Sequence, residues 1–339
     1  MKAEQIVCAA PGGGRVPLAT LVPLDTPLLL QIFPIYACNF QCCYCIFSLS
    51  KNKRGFISSK RKLELSLFQK CVDEVRNFSQ KIKVLRFVGM GEPLLHRDLP
   101  AMLEYAQASG CFERIELLTN GSLLTTTMAD KLAHIGLTRV IISLQGITAQ
   151  KYYDTSKYKL NFNTFLQQIK YFFLHKDAQT ILHLKIVDLS LEDGERTKFF
   201  DIFGSVCDTI GIESVGPIYP NVELNAQLQD IQITQFGLPY YELKICPQPF
   251  FSMQINPDGN VVPCYSVDYP VIIGNCYHES LQEIWSGKQF NNFRIDILTH
   301  FKDACRACQN CHINEHRSFV SDDLMSIRQP LLEIYGNKK

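Results

Sequence analysis

Four cysteines stand within eight residues, Cys38-Asn39-Phe40-Gln41-Cys42-Cys43-Tyr44-Cys45. Three of them, Cys38, Cys42 and Cys45, are separated by three and then two residues. Thiolates are the ligands of iron–sulfur clusters. Three thiolates on a four-iron cube leave one iron without a protein ligand, and that open position can chelate the amino and carboxylate groups of a methionine moiety. A structural zinc site normally pairs two ligands in one segment with two from a distant one, and the three-then-two spacing is not its usual form. Cys43 lies outside the spacing and reads as a packed bystander.

A second cysteine-rich stretch follows far downstream. Twelve residues separate Cys246 from Gly259, and four separate Gly259 from Cys264. Asn256-Pro257-Asp258-Gly259 is a tight-turn sequence between two strand-like runs, so a hairpin brings both thiols together. Cys305-Arg306-Ala307-Cys308-Gln309-Asn310-Cys311 adds three more. Four thiolates also suit structural zinc, which is a more serious rival here than at the first set. Cys276 is left over: a buried thiol on the plainer reading, a hydrogen-atom donor on the bolder one. Cys71 and Cys111 sit in apolar patterns and read as small buried hydrophobes. Cys8, in a Gly-rich stretch, reads as incidental.

The elements that must position these thiols alternate. The expected order is strand 28–35, helix 63–78, strand 83–88, helix 97–109, strand 114–118, helix 125–134, strand 139–144, helix 161–175, strand 181–187, helix 192–203 and strand 208–215. Gly110 is the expected stop of the second helix. Such repeated strand–helix units imply a parallel sheet with right-handed crossovers. Six units fit a partial barrel better than a closed eight-unit one. The first cysteine loop then follows the first strand, where α/β barrels place their reactive groups. Residues 1–22 read as a loosely held arm, 23–217 as the barrel, 218–245 as a linker, 246–315 as a small cysteine domain and 316–339 as a tail.

Composition is that of an ordinary globular chain: 339 residues, 46% hydrophobic, 20% charged, net charge +1. This demands neither a nucleic-acid nor a membrane partner, and the N-terminus lacks a signal-peptide pattern. The expected location is cytoplasmic. With fourteen cysteines in a reducing compartment, the clustered ones point to metal rather than disulfides.

Cys-x3-Cys-x-aromatic-Cys, with Tyr44 as the aromatic residue, resembles the signature of the radical S-adenosylmethionine superfamily. Gly89-Met90-Gly91-Glu92-Pro93 looks like that family's Gly-Gly-Glu-Pro loop, Thr119-Asn120-Gly121 ends the third strand, and Ser143 ends the fourth. The resemblance covers about residues 25–217. The second stretch looks like the SPASM or twitch auxiliary-cluster domain, through Cys-x12-Gly-x4-Cys, Ile273-Gly274-Asn275 and Leu281-Gln282-Glu283-Ile284-Trp285. It departs from the full SPASM pattern because its last three cysteines are spaced two and two and none follows Cys311.

The resemblance implies an α/β fold, a partial (β/α)6 TIM-like barrel with a small C-terminal iron–sulfur domain. It implies a [4Fe–4S] cluster on Cys38, Cys42 and Cys45, with S-adenosylmethionine contacted by Tyr44, Gly89, Gly91, Glu92, Asn120 and Ser143. It implies one auxiliary [4Fe–4S] cluster on Cys246, Cys264, Cys305 and Cys308, with Cys311 competing for the last place. The chemistry would be reductive cleavage of S-adenosylmethionine to a 5′-deoxyadenosyl radical, which takes a hydrogen atom from a substrate carbon. Alcohol oxidation would also require a base; Lys185, Asp188 and Glu213 are the candidates, and each could equally be an internal salt-bridge partner. The expected partners are an electron donor such as flavodoxin or ferredoxin and a small-molecule substrate, a polyol, sugar or aminocyclitol. Only 37 residues precede Cys38, too few for a leader-binding domain, which sets the small molecule ahead of a peptide. The alternatives are a peptide maturase and a non-catalytic metal-binding scaffold.

Overall fold

The computed structural model describes residues 3–6, 15–55, 57–219, 221–224, 233–265 and 271–337; Cys8 lies outside them. Six parallel strands carry the barrel in chain order: β2 (Leu29–Ile32), β3 (Ile82–Phe87), β4 (Phe112–Thr119), β5 (Arg139–Leu144), β6 (Ile181–Val187) and β7 (Thr209–Glu213). Helices α1 (Leu65–Val75), α2 (Leu99–Ser109), α3 (Thr126–Ala133), α4 (Ala149–Ser156), α5 (Phe162–His175) and α6 (Glu195–Phe203) fill the crossovers. The alternation of β5 shows why the sheet has two different faces. Val140, Ile142 and Leu144 are fully buried on the face toward the helices, whereas Arg139, Ile141 and Ser143 alternate with them. Local signals set the helix ends. Thr125, Thr148 and Asn161 cap α3, α4 and α5 by accepting backbone N–H bonds, and Gly110 ends α2 in the left-handed conformation, as its position implies.

Three features depart from the sequence expectation. First, the N-terminal arm is not loosely held where it is described: β1 (Glu4–Gln5) pairs in parallel with β7, and Leu18 and Val22 are buried. Apolar contacts distant in sequence fix it, and no local periodicity announces them. Second, the cysteine hairpin is not separated from the barrel sheet. Strand β8 (Ser252–Ile255) pairs in parallel with β2, then turns antiparallel into β9 (Asn260–Val262) and β10 (Gly274–Asn275), giving one sheet ordered β1-β7-β6-β5-β4-β3-β2-β8-β9-β10. Third, α4 occupies the stretch between β5 and α5, anchored by the fully buried Tyr152.

The C-terminal part continues through α7 (Gln248–Phe251), α8 (Leu281–Ser286), α9 (Lys288–His300), α10 (Arg306–Gln309), α11 (Ile313–Arg317) and α12 (Arg328–Gly336). A Ser280–Glu283 capping box starts α8. Among the described residues no helix is long and apolar enough to cross a membrane.

The register builds a polar belt inside the barrel. Gln31 stands beside Arg86, Arg86 beside Glu116, and Glu116 beside Arg139; one step further, Ile141 stands beside His183, Ser143 beside Lys185, and Val187 beside Glu213.

Candidate active site and metal centres

The loop carrying Cys38, Cys42 and Cys45 is held from several sides. Gln41 N donates to Ser156 O (2.8 Å) and Cys43 N to Thr155 O (2.9 Å), docking the loop on the end of α4. Asn39 Oδ1 accepts from Asn120 Nδ2 (2.9 Å), and Asn39 Nδ2 donates to Ser122 Oγ (2.8 Å). Tyr44 donates its hydroxyl to Gln145 Oε1 (2.6 Å), and Phe40 packs on Tyr158 with ring centroids 4.8 Å apart. Tyr44 and Asn120 therefore order the cysteine loop through Gln145 and Asn39, two partners that sequence reasoning missed.

The Gly-x-Gly-Glu-Pro loop is pressed against the same loop. Glu92 N donates to Ala37 O (2.8 Å). A Cβ on Gly91 would collide with Ile35 O and lie 2.9 Å from Ala37 O, and Gly89 adopts φ 143° beneath the Phe33 ring. Glycine is required at both places by close approach and backbone conformation. The Glu92 carboxylate is buried and accepts from Leu94 N (2.9 Å), Thr119 Oγ1 (2.5 Å) and Asn120 N (2.6 Å). It staples this loop to the end of β4. Burial pushes its pKa up to about 7, against the pull of those three donors.

The three thiols share one buried neighbourhood. Burial raises all three pKa values, that of Cys38 to about 12, and Cys38 and Cys45 raise Cys42 further by proximity. Tyr219 hydrogen-bonds to Cys45. Cys43 is exposed and near Lys157 and Lys151. Three thiols from one loop that lie close enough to influence one another supply the soft sulfur donors that an iron–sulfur cube takes, so this donor set fits one. Beside Cys45 and Tyr44 opens a cavity of about 130 Å³ whose wall includes Ser143, Lys185, Glu213, Tyr219, His316 and Arg317. It sits at the C-terminal ends of β5, β6 and β7. His316 and Arg317, in the stretch read from sequence as a tail, are therefore walls of the site. Gly216 leaves room for the His316 ring, which a Cβ there would meet at 2.5 Å.

Lys185 and Glu213 are brought together, Nζ to Oε2 at 2.6 Å, with Gln235 Nε2 donating to the same oxygen at 2.7 Å. Asp188 is not brought to them. Its Oδ1 accepts the backbone N–H groups of Leu189 and Val215, a staple after β6. The Lys185–Glu213 pair also borders a second cavity of about 380 Å³ inside the barrel.

All five C-terminal candidates gather. Cys246 and Cys264 are each raised by burial and by the nearby Cys311 and Cys305, Cys246 to about 12. Cys305 and Cys308 touch at Sγ–Sγ 3.3 Å, and Cys308 also feels Cys264 and Cys246. An all-thiol, buried set of this size fits an iron–sulfur cluster. Among the described residues no three His, Cys, Asp or Glu side chains converge on one ion-sized point. Cys276 is buried away from this set and hydrogen-bonds to the equally buried Cys71 of α1; Cys111 is buried too.

Comparison with known proteins fits this geometry. Residues 32–183 match the Radical SAM superfamily and residues 246–312 match the SPASM iron–sulfur cluster-binding domain. The chain belongs to the radical S-adenosylmethionine superfamily and carries a C-terminal SPASM iron–sulfur domain. It is a 4Fe–4S-dependent enzyme whose cofactors are a [4Fe–4S] cluster with S-adenosylmethionine and a SPASM auxiliary cluster. Over 320 residues it is 24% identical to a tungsten-containing aldehyde ferredoxin oxidoreductase cofactor-modifying protein of Pyrococcus furiosus, covering 80% of this chain and 84% of that one. Over 331 residues it is 24% identical to the PqqA peptide cyclase of Ruegeria pomeroyi, covering 89% and 84%. The fold is shared with Streptococcus suis SuiB bound to S-adenosylmethionine (TM-score 0.64, 14% identity, 92% of this chain and 79% of that chain). It is shared also with BtrN in complex with AdoMet and 2-DOIA (TM-score 0.54, 17% identity, 84% and 92%).

Proposed function

We propose that the enzyme takes a hydrogen atom from a small hydroxylated molecule, a sugar, polyol or aminocyclitol, seated in the barrel lumen, and oxidises or epimerises it. The observation that carries this reading is the lumen cavity of about 380 Å³, which shares the Lys185–Glu213 wall with the cavity beside Cys45. Its size suits a small ligand. In this reading Cys38, Cys42 and Cys45 hold the first cluster, and S-adenosylmethionine lies against Tyr44 and Ser143. Gly89, Gly91, Glu92 and Asn120 fix the loops that receive its methionine end. The bound cofactors supply reductive cleavage to a 5′-deoxyadenosyl radical.

The protein supplies position, a dry chamber and proton handling. Glu213 is the base nearest the shared wall, and Lys185 holds its carboxylate in place at 2.6 Å. Asp188 is committed to two backbone N–H groups and is left out of the proton path. Cys246, Cys264 and Cys305, completed by Cys308 or Cys311, hold the auxiliary cluster; when every iron has a thiolate, that cluster suits electron transfer rather than substrate ligation. An external donor of the flavodoxin or ferredoxin kind supplies the electron.

A peptide substrate is the second reading, favoured by the similarity to a PqqA peptide cyclase and by the fold shared with a SuiB structure bound to precursor peptide SuiA. The test is anaerobic reconstitution and reduction with S-adenosylmethionine, followed by assay of 5′-deoxyadenosine with deuterated sugars and polyols. Deuterium in 5′-deoxyadenosine from one of these supports the proposal. Transfer only from a peptide would replace it, and no 5′-deoxyadenosine at all would leave the scaffold alternative.

A further inference from the structure

The polar belt inside the barrel has more positive charge than its own partners neutralise. Arg86 is paired with Glu116 through Nε (2.8 Å) and NH2 (2.7 Å) to Oε2. Lys185 is paired with Glu213. Arg139 is 5% exposed, has no hydrogen bond or ion pair within 4 Å among the described residues, and its Nε is a buried donor without a partner. It lies within electrostatic reach of Glu116 and Glu213 but also of Arg86 and Arg114. Arg86, Arg139 and Lys185 thus share two carboxylates, Glu116 and Glu213, inside the barrel.

Beside this belt stands His183, 1% exposed and lining the cavity. Its Nδ1 meets Thr209 Oγ1 at 2.8 Å, while its Nε2 is buried with no partner. Burial, with Arg139 and Lys185 nearby, lowers its pKa to about 3. The ring is therefore neutral at neutral pH, and Nε2 is available for a hydrogen bond. Unpaired buried polar atoms are costly, and a cavity with surplus charge of one sign concentrates ligands of the other.

Within the reading given under Proposed function, on which this step rests, we propose that the substrate is an anionic hydroxylated molecule. Its carboxylate or phosphate is held by the Arg86–Arg139 side of the belt and by His183 Nε2–H, in the tautomer whose Nδ1 accepts the Thr209 hydroxyl, and its reacting carbon lies toward Lys185 and Glu213. A substrate bearing an ammonium group, as an aminocyclitol would, meets the wrong charge here.

Four probes of matched shape separate the possibilities: D-glucuronate, D-glucose 6-phosphate, D-glucose and D-glucosamine, each titrated calorimetrically into the reconstituted enzyme with S-adenosylmethionine bound. Tighter binding of an acid by about tenfold or more over glucose and glucosamine is expected, and the stronger of the two acids tells carboxylate from phosphate. The same preference should fall in Arg139→Gln and in His183→Gln, each checked for a cooperative thermal transition. If one variant does not fold, the other and the wild-type ranking still decide. Glucosamine binding best, no acid binding, or an acid preference unchanged in a folded variant would overturn the inference. Formation of 5′-deoxyadenosine by the same samples reports separately on the underlying reading.

Discussion

The two cysteine regions solve the same problem by opposite means. The first takes its three candidate ligands from one eight-residue loop and spends the surrounding structure on holding that loop: the end of α4, Asn120, Gln145 and the glycine loop all grip it. The second takes five thiols from three distant stretches, Cys246, Cys264 and 305–311, and a hairpin joined to β2 brings them together. One is short of a ligand and the other has one thiol more than a four-iron cube needs. A shortage leaves a position for a cofactor, whereas a surplus tolerates loss.

Substitutions should expose that asymmetry. Cys42→Ala is expected to have the largest effect: loss of about four irons per chain and of all 5′-deoxyadenosine formation, measured by iron assay and chromatography. Cys264→Ala should lose a similar amount of iron and turnover of substrate, yet still form 5′-deoxyadenosine without substrate. Between Cys308→Ala and Cys311→Ala, one should keep the auxiliary iron and the other lose it. Equal retention in both would mean that the two thiols replace one another.

Smaller effects test how the first loop is held. Glu92→Ala strands the Leu94 and Asn120 N–H groups and the Thr119 hydroxyl in a buried place. With about 1–3 kcal/mol for each unmet partner, a loss of roughly 3 kcal/mol or more is expected in denaturant unfolding of the chain. The smallest effect is pH-dependent. The folded pKa of His183 lies near 3, below the ordinary 6.5, so the unfolded chain binds the proton first as pH falls. The stabilising contribution of the neutral ring is present above 6.5 and drains away toward 3. Wild-type thermal stability should therefore fall more steeply than that of His183→Gln between pH 6.5 and the onset of acid unfolding.

The sequence made some of this legible and hid the rest for physical reasons. Strands such as Arg139–Leu144 and Ile181–Val187 carry their period within a few residues and stand where expected. The first cysteine loop is likewise local. By contrast, α4 (AQKYYDTS) spans only eight residues, and Tyr152 is its one large side chain that is fully buried. The pairing of β8 with β2 depends on contacts more than two hundred residues apart. Asp188 lies at a strand end, as a base would, but its carboxylate caps backbone instead. Arg139 and His183 each look like isolated polar residues in apolar strands; only the register, which puts Ile141 beside His183 two residues along from Arg139, brings them within electrostatic reach.

The account turns on an iron at the first cluster that no thiol claims. Electron paramagnetic resonance of the reduced protein, recorded with and without S-adenosylmethionine in wild type and in Cys264→Ala, tests this directly. The expected result is a change in the reduced-cluster signal on adding S-adenosylmethionine, preserved in Cys264→Ala. A spectrum indifferent to S-adenosylmethionine, or a response lost in that variant while the first cluster remains loaded, would contradict it.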